Sequence, residues 1–87
     1  MSYYVYVLKS EKDGKFYTGC TNDLRKRFNQ HCKGQVTSTK ERLPVQIVYY
    51  EMSLEQGDAF AREKYLKTGM GKRYINNRLK RFLSLTD

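Results

Sequence analysis

The chain has 87 residues, enough for a single domain over residues 1–87 and too few for a second. Its formal charge is +8 and unevenly spread: residues 62–87 hold eight Lys/Arg against Glu63 and Asp87 (net +6), while residues 1–61 hold nine against seven (net +2). That balance points to a polyanionic partner, most simply nucleic acid. No stretch approaches the ~18 apolar residues of a membrane span, and no charged-then-apolar leader opens the chain, so a cytoplasmic protein without a membrane partner is expected.

Residues 2–9 alternate aromatic and β-branched side chains and predict a strand. Lys12-Asp13-Gly14-Lys15 is a hairpin signal, since Asp and Gly tolerate the positive φ of tight turns. Residues 16–21 form the return strand. A two-residue Asp13-Gly14 turn pairs Lys12 with Lys15; a loop two residues longer puts Tyr6 opposite Gly19 and Tyr17 opposite Leu8. Either register leaves Tyr6 and Tyr17 on one face, because side chains alternate with period two. In the second they are diagonal neighbours roughly 7–8 Å apart.

Thr21-Asn22-Asp23 supplies a helix N-cap and an acid for the first turn. The helix runs from about Asp23 to Lys33 and stops at Gly34. Leu24, Phe28 and Cys32 form its apolar line, bordered by Arg27 and His31 at i, i+4. Cys20 and Cys32 lack the partners of a disulfide framework or a zinc site and read as small packing residues. Neighbouring His31 and Cys32 point about 100° apart, poorly placed to share a proton.

Residues 34–44 read as a loop carrying basic and hydroxyl groups, and Val45–Glu51 as a third strand with a central place in the sheet. Ser53-x-x-Gln56 resembles a capping box opening a second helix that ends at Gly69. Its inward stripe is Ala59, Phe60 and Leu66, with Glu63 inside it. An inward carboxylate is costly unless paired or bound to a cation. After Gly69-Met70-Gly71 a last helix turns Ile75, Leu79, Phe82 and Leu83 inwards. The expected fold is α/β of the α+β kind: a small, mostly antiparallel three-stranded sheet with flanking helices in the order β-β-α-β-α-α.

Tyr-Val-Tyr-Val at residues 4–7, Tyr17-Thr18-Gly19, Arg27 within Leu24-Arg25-Lys26-Arg27-Phe28, and Glu63 within Ala61-Arg62-Glu63-Lys64 stand in an order and spacing that resemble the GIY-YIG nuclease superfamily. The likeness spans nearly the whole chain. It is greatest to the small free-standing bacterial type and the nuclease module of the excinuclease C subunit. Val5 and Val7 replace the Gly and Ile of the first signature half, and Thr18 the Ile of the second.

The resemblance implies a metal-dependent DNA endonuclease, structure- or damage-directed, in DNA repair or processing. Glu63 would hold one Mg²⁺ (or Mn²⁺) ion, Arg27 would pair with the scissile phosphate, and Tyr6 would be the general base, oriented by Tyr17 or His31. The family's late asparagine falls on Asn77 or Asn76; Asn77 sits on a helix face opposite Ile75 and Leu79. Lys26, Lys33, Lys40, Arg42, Lys72 and Arg73 are the candidate phosphate contacts, with little reading of sequence. A protein partner supplying substrate targeting is compatible with so small a chain. Two rivals stand beside this reading. One is a non-catalytic nucleic-acid-binding module of the same fold; in the other, the tyrosines only pack, as expected for Tyr3, Tyr49 and Tyr50, and the charge only solubilises.

Overall fold

A computed structural model of the chain describes residues 1–85. Its elements are β1 (Tyr3–Ser10), β2 (Phe16–Thr21), α1 (Leu24–Cys32), a 3-10 turn (Lys40–Arg42), β3 (Val45–Ser53), α2 (Gln56–Leu66), α3 (Gly69–Arg78) and α4 (Lys80–Leu85). The strands form one antiparallel sheet in the order β2-β1-β3. The architecture is the expected α+β arrangement, with the last helical stretch broken in two at Leu79.

The central strand is β1, not β3. Val5, Tyr6, Val7 and Leu8 are all buried, so β1 is covered on both faces, whereas Tyr50 and Met52 of β3 are more than half exposed at the sheet edge. Tyr6 and Leu8 pack with Val45 against Leu24 and Phe28 of α1. On the opposite face Val5 and Val7 pack against Ala59 and Leu66 of α2, Ile75 of α3 and Leu79. Burying each such aliphatic side chain contributes about 1.5–3 kcal/mol. The sheet is therefore sandwiched, with α1 on one side and α2–α4 on the other.

The hairpin adopts the longer loop, with Tyr6 opposite Gly19 and Leu8 opposite Tyr17. Ser10 explains the extra length. Its buried hydroxyl accepts from the Lys12 and Asp13 N–H groups at 3.1 and 3.3 Å and donates to the Arg42 carbonyl at 2.6 Å. Gly14 takes the left-handed conformation (φ +72°) within the loop. On the other side of β1 the register slips between Val7 and Leu8, leaving Val48 unpaired. This bulge lets Val48 and Tyr49 both pack on the α2 side while Val45 and Ile47 stay on the α1 side.

Four local expectations are corrected at helix ends and faces. Asp23 is itself the cap of α1, accepting from the Lys26 N–H at 3.1 Å, rather than an acid in the first turn. Cys32 is exposed, and the inward line of α1 is the half-buried Leu24 and Phe28 with the buried His31. Spacing i, i+4, i+7 returns to within about 20° of the start, and i+8 overshoots by about 80°. Ser53 remains paired in β3, so Glu55 caps α2 instead, accepting from the Asp58 N–H at 2.7 Å. Phe60 is about half exposed, one residue off the Ala59–Leu66 line.

α2 also ends earlier than expected, and Gly69 begins the next helix instead of stopping this one. Thr68 makes the corner: its hydroxyl donates to the Tyr65 carbonyl at 2.6 Å and accepts from the Gly71 N–H at 3.1 Å. Gly71 is buried with its Cα against the Tyr65 carbonyl and the Leu66 backbone, leaving no room for a Cβ. Gly71→Ala is expected to destabilise the fold by about 2 kcal/mol or more through this overlap, read as a lowered midpoint in urea unfolding.

Candidate active site

β2 is an outer strand, and a cleft of about 440 Å³ straddles it. From the α1 side come Tyr6, Tyr17, Gly19, Arg27 and His31. Around the strand, from the opposite side, come Cys20 of β2, Glu63 of α2, Lys67 at its C-terminal cap, and Lys72 of α3. The tyrosine face is thus one wall of the cleft rather than its whole floor, and Glu63 approaches from the far side of the sheet.

Gly19 lets Tyr6 reach this position. The Tyr6 ring lies across its Cα so closely that a Cβ there would run into the phenol. The Tyr6 hydroxyl meets His31 Nε2 at 3.0 Å, with the two rings edge to face at 5.7 Å. His31 Nδ1 in turn lies 2.7 Å from the Thr39 hydroxyl, and Thr39 is fully buried. Arg27 donates to the Gln30 side chain at 3.1 Å and lines the cleft. Among the described residues Glu63 is the one carboxylate lining it, ion-paired with Lys67 at 3.2 Å. Lys67 is more than half exposed, and an exposed i, i+4 pair of this kind is easily parted.

Electrostatics separate the groups. Burial pushes the Tyr6 phenol above its ordinary value of 10, against the pull of the Arg27 guanidinium beside it. Burial, with a contribution from Arg27, holds His31 below 6.5. Both are therefore neutral at pH 7. Burial, followed by the Glu63 charge, raises the Cys20 thiol, so it is no thiolate nucleophile.

Tyr17 lines the cleft as expected, but its hydroxyl does not touch Tyr6. It donates to Asp13 at 3.4 Å and accepts from Arg42 at 3.2 Å, and Arg42 is ion-paired with Asp13 at 3.1 Å. Of the two expected orienters of Tyr6, His31 makes the contact. Lys72 lines the cleft. Lys26 and Lys33 line a shallow groove along the outer side of α1, while Lys40 and Arg73 are exposed elsewhere. Asn77 and Asn76 are both exposed and outside the cleft lining; Asn76 donates to the Lys72 carbonyl at 2.9 Å. Sequence reasoning misses Thr39. A hydroxyl eight residues beyond a histidine is its only signal, and Thr37 and Ser38 share it equally.

A small antiparallel sheet with helices on both faces carries a cleft wrapped around its outer strand. Residues 2–77 match the family described as the GIY-YIG catalytic domain, and the chain belongs to that family. It is 45% identical over 67 residues to a UPF0213 protein of Staphylococcus saprophyticus, covering 76% of this chain and 80% of that one. A UPF0213 protein of Clostridium perfringens is 45% identical over 65 residues, covering 74% and 69%. The solution NMR structure of a UPF0213 protein from Bacillus halodurans superposes with a TM-score of 0.57 at 29% identity, over 88% of this chain and 84% of that one.

Because His31 has a lower pKa folded than its ordinary 6.5, the unfolded chain takes up this proton first as the solution is acidified. His31 thus contributes stability that is present above pH 6.5 and lost as pH falls through the folded pKa. Urea unfolding at pH 7.5 and 5.5 is expected to show this loss, and His31→Gln to reduce the difference between the two.

Proposed function

We propose that the chain is a divalent-metal-dependent endonuclease hydrolysing DNA phosphodiesters, acting as one domain over residues 1–87. The observation that carries this reading is the opening of the Tyr6–His31 pair, Arg27 and Glu63 into one cleft. Membership of the GIY-YIG family supports it.

The donor set discriminates between kinds of ion. Among the described residues no three His, Cys, Asp or Glu side chains cluster as metal ligands, which does not suit a protein-caged zinc. One half-buried carboxylate facing an open cleft does suit Mg²⁺ or Mn²⁺, which keep water and substrate phosphate as most of their ligands. Glu63 would hold that ion, which when bound polarises a phosphate oxygen and stabilises developing negative charge.

The chain's own residues do the rest. Arg27 trades Gln30 for the scissile phosphate, its planar fork matching two oxygens. Lys67, freed from Glu63, and Lys72 add positive charge at the rim. Tyr6 accepts the proton of the attacking water once its phenol is ionised. With its pKa held above 10, the reactive form grows with pH, so cleavage should rise about tenfold per pH unit through the neutral range. Tyr17, joined to Asp13 and Arg42, shapes the end of the cleft. Lys26, Lys33, Lys40 and Arg73 contact backbone phosphates, making affinity strongly salt-dependent. Selectivity for branched or damaged DNA, a place in DNA repair, a cytoplasmic setting and a recruiting protein partner complete the reading.

The test is incubation with branched, single-stranded and duplex DNA in Mg²⁺ or Mn²⁺, with Glu63→Ala and Arg27→Ala alongside. Each substitution is expected to lower the cleavage rate by roughly a hundredfold or more, and Tyr6→Phe to remove the pH dependence with the activity. Cleavage indifferent to Glu63 and Arg27 would overturn the assignment. Binding without cleavage in either metal would favour the non-catalytic module.

A further inference from the structure

The Thr39 hydroxyl lies 2.7 Å from His31 Nδ1, in the dry interior behind the cleft, and makes no other hydrogen bond among the described residues. His31 Nε2 faces the Tyr6 hydroxyl at 3.0 Å. Three protons are therefore available to two hydrogen bonds: one each from Thr39, the neutral imidazole and Tyr6. If Nδ1–H donated to Thr39, the threonine proton would be left without an acceptor where no water reaches, an arrangement buried groups avoid. If Thr39 donates, the spare proton is that of Tyr6, whose side chain opens on the cleft.

We propose that Thr39 is a positioning residue: its hydroxyl donates to His31 Nδ1, holds the imidazole as the Nε2–H tautomer, and so aims an N–H at the Tyr6 oxygen. Tyr6 then receives a hydrogen bond from behind and turns its own proton towards the cleft. The Arg27 guanidinium lies beside the same oxygen. A donated hydrogen bond and the neighbouring Arg27 charge together stabilise the ionised form of the phenol, the state required to accept a proton from water. His31 on this reading is a fixed donor to Tyr6, not the acceptor of its proton. Among the described residues that face His31, from β1, α1 and the loop before the 3-10 turn, Arg27 is the charged one. The effect on cleavage rests on the function proposed above; the tautomer does not.

His31 is the sole histidine of the chain, so its two ring nitrogens give an unambiguous pair of signals in a long-range ¹H–¹⁵N spectrum. The wild-type protein at pH 7 is expected to carry the proton on Nε2, with Nδ1 bare and hydrogen-bonded. Thr39→Val should move the nitrogen shifts towards a mixture of tautomers and lower kcat on the order of tenfold with KM little changed. Thr39→Ser should restore both. A wild-type spectrum with the proton on Nδ1 would overturn the assignment, as would a Thr39→Val spectrum identical to wild type. Should the valine variant fail to fold, the wild-type tautomer still decides. Absence of DNA cleavage by every form, with the expected tautomers, would count against the nuclease reading and leave the Thr39 assignment supported.

Discussion

The contact between Tyr6 and His31 crosses from the central strand to the helix that covers it, and much of the molecule is arranged to allow it. A phenol and an imidazole occupy positions in an otherwise apolar layer, beside Leu8, Phe28 and Leu24. Burying two polar side chains is tolerated because each satisfies the other and Thr39 takes the remaining ring nitrogen. Gly19 gives the phenol room to pass over β2. Through this contact the core packing on the α1 side also sets the geometry of the cleft.

The cleft depends equally on the other layer. α2 is seated by Ala59 and Leu66 on Val5 and Val7, and this seating brings Glu63 to the rim of the outer strand. The corner at Thr68 and the close approach at Gly71 then bring α3, with Lys72, alongside. Glu63, Lys67 and Lys72 thus arrive from one face of the sheet, and Arg27 and the Tyr6–His31 pair from the other. Both layers are anchored to the same strand, β1.

Local periodicity makes much of this legible in the amino-acid sequence. Alternation in residues 2–9 and the turn signal at Asp13-Gly14 identify the hairpin, and its parity places Tyr6 and Tyr17 on one face in either register. Helical spacing singles out Arg27, His31 and Glu63, and all three line the cleft. Misreadings arise where a polar residue performs an apolar task, or where a tertiary contact overrides a local signal. His31 completes the inward line of α1, but a hydrophobic count assigns that place to Cys32. Ser53 is an ordinary capping residue in isolation and loses that role to pairing with Tyr3. Gly69 and Gly71 read as a helix stop because close backbone packing leaves no mark in composition. The direction of the Tyr17 hydroxyl depends on Arg42, distant in sequence and brought near by Ser10.

The placement of the cleft around β2 bears on how the molecule behaves in a crowd. An outer strand offers unpaired backbone groups to any extended segment that meets it, and proteins commonly blunt such edges with charge. Here a strand adding to β2 would have to enter the cleft and displace Arg27, Lys67 and Lys72, whose charges it would have to neutralise or bury. The cationic side chains of the cleft therefore also guard this edge of the sheet against self-association.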